Sequence, residues 1–131
     1  MFTQTTEYIL QALVYLTTHR NREPILARKI AEETHIPMNY LSKLLHELKR
    51  AGYLEAARGR NGGYRLAREP EDIRLTEIVT RFDTIEPYNG CLLRRSECRA
   101  NNPCSAHSRW RPIAEQMLQF MDETSVSDLA E

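Results

Sequence analysis

Ala31 to Tyr64 reads AEETHIPMNYLSKLLHELKRAGYLEAARGRNGGY. The stretch begins inside a short amphipathic helix, Ile25 to Thr34, with Ile25, Ile30 and Ala31 facing inward. The small Ala31 lets a second helix pack close. Pro37, with its fixed φ, suits the first position of that second helix, which runs to about Ala51. Leu41, Leu44, Leu45 and Leu48 recur at i, i+3, i+4 and i+7 as a core stripe. Asn39, Lys43, His46 and Arg50 recur at i, i+4, i+7 and i+11 as a separate polar stripe. Gly52 is placed to cap the helix. Tyr53-Leu54 and Tyr64-Arg65-Leu66 then read as two short strands around Arg58-Gly59-Arg60-Asn61-Gly62-Gly63. Asn-Gly and Gly-Gly accept positive φ and favour a tight hairpin. Helix, turn, two-faced helix and basic hairpin is the order of a winged helix-turn-helix. Such a module lays one helix in the DNA major groove and the hairpin beside it.

A polar stripe alone is ordinarily a solvated face. The arginines of the hairpin add to it, because a plain β-turn has no need of them, and with glycine backbone they can approach phosphates or a minor groove. The formal net charge is zero, but its distribution is uneven. Lys43 to Arg65 holds six bases (Lys43, Lys49, Arg50, Arg58, Arg60, Arg65) against Glu47 and Glu55, whereas Pro112 to Glu131 holds five acids and no base. Positive charge is therefore concentrated where a DNA surface is expected.

Outward from this stretch, Thr5 to His19 is a helix with Ile9, Leu13 and Leu16 on one face, widened by Leu10, Val14 and Tyr15. Leu75 to Phe82 is a short amphipathic helix, and Asp83 to Gly90 a linker. Ser108 to about Thr124 carries Trp110, Ile113, Met117, Phe120 and Met121 along one helical face. That stripe is rich for a lone helix on a chain of 131 residues, and a second copy would bury it. The sequence thus predicts a mainly α fold with a small β-hairpin wing. Residues 1–83 form the winged helix-turn-helix, 84–107 a cysteine loop, and 108–131 a dimerisation helix and tail. A two-fold dimer would match a palindromic operator.

The loop has the spacing C-x6-C-x5-C-x2-H: Cys91, Cys98, Cys104 and His107. Three thiolates and an imidazole suit zinc or an iron–sulfur cluster. The C-x2-C knuckles of zinc sites are absent, and wide spacing on a loop fits a larger object such as a cluster. Arg94, Arg95, Arg99, Arg109 and Arg111 surround the thiols and favour thiolates and an anionic cluster. Spectator cysteines are the competing reading. The N-terminal MFTQTTEYIL lacks the pattern of a signal peptide, and no apolar run is long enough to span a membrane, so a cytoplasmic, reducing setting is expected.

These residues resemble the Rrf-two family of bacterial winged-helix repressors over nearly the whole chain. The likeness rests on Thr6-Glu7-Tyr8, on Ile36-Pro37-Met38-Asn39-Tyr40-Leu41, on Arg58-Gly59-Arg60-Asn61-Gly62-Gly63-Tyr64, on the three cysteines, and on Ser127-Asp128-Leu129-Ala130. It implies a homodimeric DNA-binding regulator with Cys91, Cys98 and Cys104 as cluster ligands. His107, followed by Trp110, matches the histidine that completes a 2Fe–2S site within one chain in the IscR-like branch. Glu7 falls where the NsrR-like branch takes an acidic ligand to a 4Fe–4S cluster from the other subunit. Of the two, 2Fe–2S is favoured. The resemblance also places Asn39, Ser42 and Lys43 at base edges, where Asn suits adenine and Lys guanine or phosphate. Met38, His46 and Arg50 belong to the same surface, and Tyr40 packs or touches phosphate. Arg60 and Asn61 would enter the minor groove beside Gly62, with Arg58 and Tyr64 supporting them or binding phosphate. Loss, oxidation or nitrosylation of the cluster would shift the loop and change DNA affinity.

Two other readings compete. One is a regulator of the same family without a cluster, signalling by thiol oxidation, zinc or a protein partner. The other is a small metal or redox carrier. No nucleophile–base pair, phosphate loop or paired carboxylates point to an enzyme, and no small-molecule substrate is indicated.

Overall fold

The computed structural model describes residues 2–21, 24–59, 62–83, 93 and 105–130. Helix α1 (Gln4–Thr18) starts at Thr3, whose hydroxyl accepts the Thr6 N–H at 3.3 Å and satisfies one orphan donor of the first turn. Ile9, Leu13 and Leu16 are buried as their spacing predicts, together with Ala12. This helix is the centre of the molecule. It packs against the next two helices, the wing, and both C-terminal parts of the chain.

Helix α2 (Ala27–Thr34) and helix α3 (Met38–Arg50) enclose a three-residue turn. His35 takes the left-handed conformation there (φ 61°) and reverses the chain; Ile36 plugs the corner, 2% exposed. Pro37 is one residue outside the expected position. With ψ 130° it is the N-cap of α3, and its carbonyl accepts the Leu41 N–H at 2.9 Å.

Ile25 departs from the sequence reading. It is not helical: its N–H donates to the Tyr64 carbonyl at 2.9 Å, and its own carbonyl accepts the Tyr64 N–H at 2.8 Å. The backbone must stay extended through Leu26 to make that rung, so α2 can start only at Ala27. Strands β1 (Leu54–Ala57) and β2 (Gly63–Leu66) form the antiparallel wing, with Leu54 opposite Leu66 and Ala57 opposite Gly63. Ile25 adds a single rung on the far side of β2.

A 3-10 turn (Pro70–Asp72), helix α4 (Leu75–Phe82), helix α5 (His107–Glu123) and a last short helix α6 (Val126–Leu129) complete the described chain. Pro112 is the sixth residue of α5, one turn further in than a terminal proline. It deprives the Ser108 carbonyl of a helical donor, and Ser108 is exposed, so solvent can replace it.

Two apolar clusters hold the molecule. The larger joins α1, α2, α3 and the wing root, and includes Val126 of α6. The smaller joins Leu75 and Val79 of α4 to Ala114 and Met121 of α5, with Phe2, Leu10, Trp110, Met117 and Leu118 around them. The C-terminal segment is thus built into the N-terminal core. Leu75 N–H donates to the Thr124 carbonyl and Val126 N–H to the Ile73 carbonyl, each at 2.9 Å. The face of α5 expected to pair with a second copy divides in two. Met121 is fully buried inside its own chain, and Trp110 and Met117 pack partly against the same cluster. Ile113 and Phe120 remain 53% and 47% exposed.

Candidate nucleic-acid interface

One face of α3 is closed. Leu41, Leu45 and Leu48 are 0% exposed and Leu44 7%. The opposite face carries Met38, Asn39, Ser42, Lys43, His46 and Arg50, all exposed. The side chains of Asn39, Ser42, Lys43 and His46 make no hydrogen bond or ion pair among the described residues. Their donors and acceptors are open to a ligand along about two helical turns. Arg50 lies 3.6 Å from Glu47, an exposed pair that holds little in water and yields easily to a phosphate.

Tyr40 is exposed on the same helix and also packs against α1. Its ring meets that of Tyr8 edge-on, centroids 5.4 Å apart at 79°, and its hydroxyl shares a short hydrogen bond with the Thr5 hydroxyl. It therefore fixes the start of α3 against α1. Thr5 was not foreseen from sequence, because nothing local marks a partner 35 positions away.

In the wing, Gly62 N–H donates to the Gly59 carbonyl at 3.0 Å and closes the turn. Arg60 and Asn61, the residues expected in a minor groove, lie outside the described residues. Gly62 is buried and contributes backbone alone. Arg58 is exposed and has no ion-pair partner among the described residues. Arg65 pairs across the strands with Glu55 at 3.0 Å, so the free cation of the described hairpin is near its tip. Tyr64 is half-buried against the main core and pairs its backbone with Ile25, which makes it a support of the wing.

The thiols Cys91, Cys98 and Cys104 lie outside the described residues. Among the described residues, no group of three or more His, Cys, Asp or Glu is gathered as a metal site. The two candidates for a fourth ligand sit on different helices, α5 and α1. His107 is half-buried and opens α5, one turn before Trp110. Glu7 is exposed in the first turn of α1. Asp83, next to the end of α4, accepts the Thr3 N–H at 2.7 Å. Three thiols with an imidazole or a carboxylate are a donor set that fits an iron–sulfur cluster. No helix among the described residues is long and apolar enough to cross a membrane.

Comparison with known proteins agrees with this geometry. The family model described as "Rrf2: Iron-dependent Transcriptional regulator" matches residues 2–131. A helix-turn-helix type transcriptional regulator of Aquifex aeolicus is 35% identical over 131 residues, spanning 98% of this chain and 90% of the relative. The regulator NsrR of Bacillus licheniformis is 30% identical, spanning 97% and 90%. The structure of CymR, the global cysteine regulator of B. subtilis, superposes with a TM-score of 0.80 at 24% identity over 99% of this chain and 95% of that one, a likeness of fold. These relatives are transcriptional regulators and not enzymes. With its winged helix-turn-helix and this match along its whole described length, the chain belongs to the Rrf2 family of DNA-binding transcriptional regulators.

Proposed function

We propose that the protein is a homodimeric, cytoplasmic repressor whose affinity for a palindromic operator is set by an iron–sulfur cluster on residues 91–107. The observation that carries the DNA part is the pair of faces on α3: a buried leucine face and an opposite face of Asn39, Ser42, Lys43 and His46 with no partner among the described residues. Asn39 and Lys43 read base edges, Ser42 and His46 add donors, and Arg50 and Arg58 meet phosphates. Arg60 and Asn61 follow the wing into the minor groove. A bound cluster would supply reversible redox and nitric-oxide chemistry. Cys91, Cys98 and Cys104 hold it with His107 in a 2Fe–2S site, or with Glu7 of the second copy in a 4Fe–4S site. The family's description as iron-dependent supports this choice over bare thiols. Ile113 and Phe120 provide the surface for the second copy.

The test is an anaerobic visible spectrum with iron and sulfide assays, on native protein and Cys98→Ala. DNA affinity is measured in parallel before and after the cluster is removed. Visible absorption with iron and sulfide together, lost in the variant and accompanied by a change in affinity, is the expected result. A colourless protein that binds DNA equally well overturns the cluster and favours signalling by thiol oxidation or a partner.

A further inference from the structure

We propose that Glu77 is a positioning residue for DNA binding, setting through Arg68 and Tyr53 the angle at which the wing leaves the body. Tyr53 directly precedes β1 and Arg68 follows β2, and the Ala67 N–H donates to the Tyr53 carbonyl at 2.9 Å to close the root between them. Beyond that root the wing is a two-stranded ribbon, which has little rigidity of its own. Its β1 side is exposed from Glu55 to Arg58. Leu54, Tyr64 and Leu66 pack the root of the ribbon on the main core, and among the described residues hydrogen bonds tie it on two sides: the Ile25 rung on the α2 side and Glu77 on the α4 side.

Glu77 gathers donors from three segments. Its carboxylate accepts Arg68 Nη1 at 3.0 Å, Arg68 Nη2 at 3.5 Å, the Tyr53 hydroxyl at 3.3 Å and the Arg74 N–H at 3.1 Å. The Arg68 guanidinium also lies 4.9 Å over the Tyr53 ring and donates to the Asp72 carbonyl at 3.1 Å. Burial opposes the charge on Glu77, yet Arg68 and the Arg74 N–H outweigh it and hold the carboxyl below its ordinary value. A forked guanidinium, stacked and doubly bonded, fixes a direction that a lone exposed pair would not.

The reference point for this tie is the far end of α5. Thr76 Oγ1 donates to Asp122 Oδ1 at 2.5 Å, Arg74 Nη1 to the Glu123 carbonyl at 3.1 Å, and Leu75 N–H to the Thr124 carbonyl. Helix α4 runs from this junction to Phe82, with Asp83 as its C-cap. A shift of α4 therefore moves the wing root, and a four-residue strand carries it to the tip along about 13 Å.

This inference rests on the reading of the wing as a DNA contact, and the experiment separates the two. The probe is the duplex that native protein enriches from a random-sequence pool. Affinity and its salt dependence are measured for Glu77→Gln, Arg58→Ala, Lys43→Ala and the two doubles with Glu77→Gln. Gln keeps an acceptor for the Arg74 N–H but loses the charge that orients Arg68. Glu77→Gln is expected to weaken binding roughly fivefold and to lower the salt slope by about one, as Arg58→Ala does. Combined with Arg58→Ala it adds little further loss, whereas combined with Lys43→Ala the losses multiply. Native-like binding by Glu77→Gln, or losses that multiply in both doubles, overturns the proposal. If Arg58→Ala alone changes nothing, the wing contact falls as well; if it weakens binding while both doubles multiply, Glu77 alone falls. Should Glu77→Gln unfold, Tyr53→Phe removes one hydroxyl, keeps the ring, and carries the same cycle.

Discussion

At the scale of single residues, the wing depends on Gly63. Its φ of 132° is unfavourable for any side chain, and a Cβ there would run into the backbone of Ile25 and Leu26. Gly63→Ala should cost about 2 kcal/mol or more, read from urea unfolding, because strain and the broken Ile25 rung add. The glycine itself was visible in the sequence as a turn former. Its second task was not, because the Ile25 rung forms only when β2 returns to a segment nearly 40 positions earlier. The same holds for Tyr40. Its place on the exposed half of α3 is plain from spacing, but its hydrogen bond to Thr5 and its contact with Tyr8 belong to a neighbour chosen by tertiary packing. Ile25 was read as helical for a related reason: one β rung leaves no periodicity to detect.

At the scale of elements, α3 is the most legible part of the chain. Its leucine and polar stripes are a full half-turn apart, and each residue falls on the side its spacing gives. The two stripes predict opposite phenotypes. Leu45→Ala should lower stability by about 2–5 kcal/mol in urea unfolding, since a fully buried leucine leaves a cavity. Lys43→Ala should leave the unfolding curve in place and weaken DNA binding roughly tenfold, with the salt slope reduced by about one. If both substitutions acted mainly on stability, the exposed face would be no reading surface. Helix α5 was less legible. Trp110, Ile113, Met117, Phe120 and Met121 share a broad apolar arc, and periodicity reports that an arc is buried without saying by what. The structure packs Met121 fully and Met117 partly against the α4 cluster, and leaves Ile113 and Phe120 at the edge. The network of Tyr53, Arg68 and Glu77 gave no signal at all, as three polar residues at separations of 9 and 24 follow no period.

At the scale of the whole molecule, three carboxyls are held below their ordinary values, and one of them, Glu71, accepts from Ser127 and so ties the last helix to the body. Glu77 is held below its ordinary value as described, Asp128 by the backbone N–H and hydroxyl of Ser125, and Glu71 by its own backbone with Arg20 and Ser127. A carboxyl whose value is lowered in the folded state stabilises it above its unfolded value, about 4.3 for Glu and about 3.9 for Asp, and that contribution is lost as pH falls through the lowered one. The urea midpoint should therefore be level near neutrality and fall below about pH 4.5, less steeply in Glu77→Gln than in native protein. Helix α5 is held to α4 by the Thr76–Asp122 and Arg74–Glu123 hydrogen bonds, and its free edge is the surface assigned to a second copy in the proposed dimer. Ile113 and Phe120 lie seven positions apart, two turns along one side of the helix, and both are large apolar groups open to solvent. A two-fold axis beside them would bring each pair against its copy. The double substitution Ile113→Glu, Phe120→Glu should dissociate the dimer in sedimentation experiments, because four carboxylates would meet at the axis. It should leave the monomer's helical spectrum and melting temperature nearly unchanged. Met121→Ala should do the reverse, lowering stability by about 2–5 kcal/mol while any remaining folded protein still sediments as a dimer. Because two half-sites are read together, the dissociated variant should also lose most of its affinity for a palindromic duplex and keep its affinity for a half-site. A charged double variant that still sediments as a dimer would move the interface elsewhere, to surfaces that include the loop between α4 and α5.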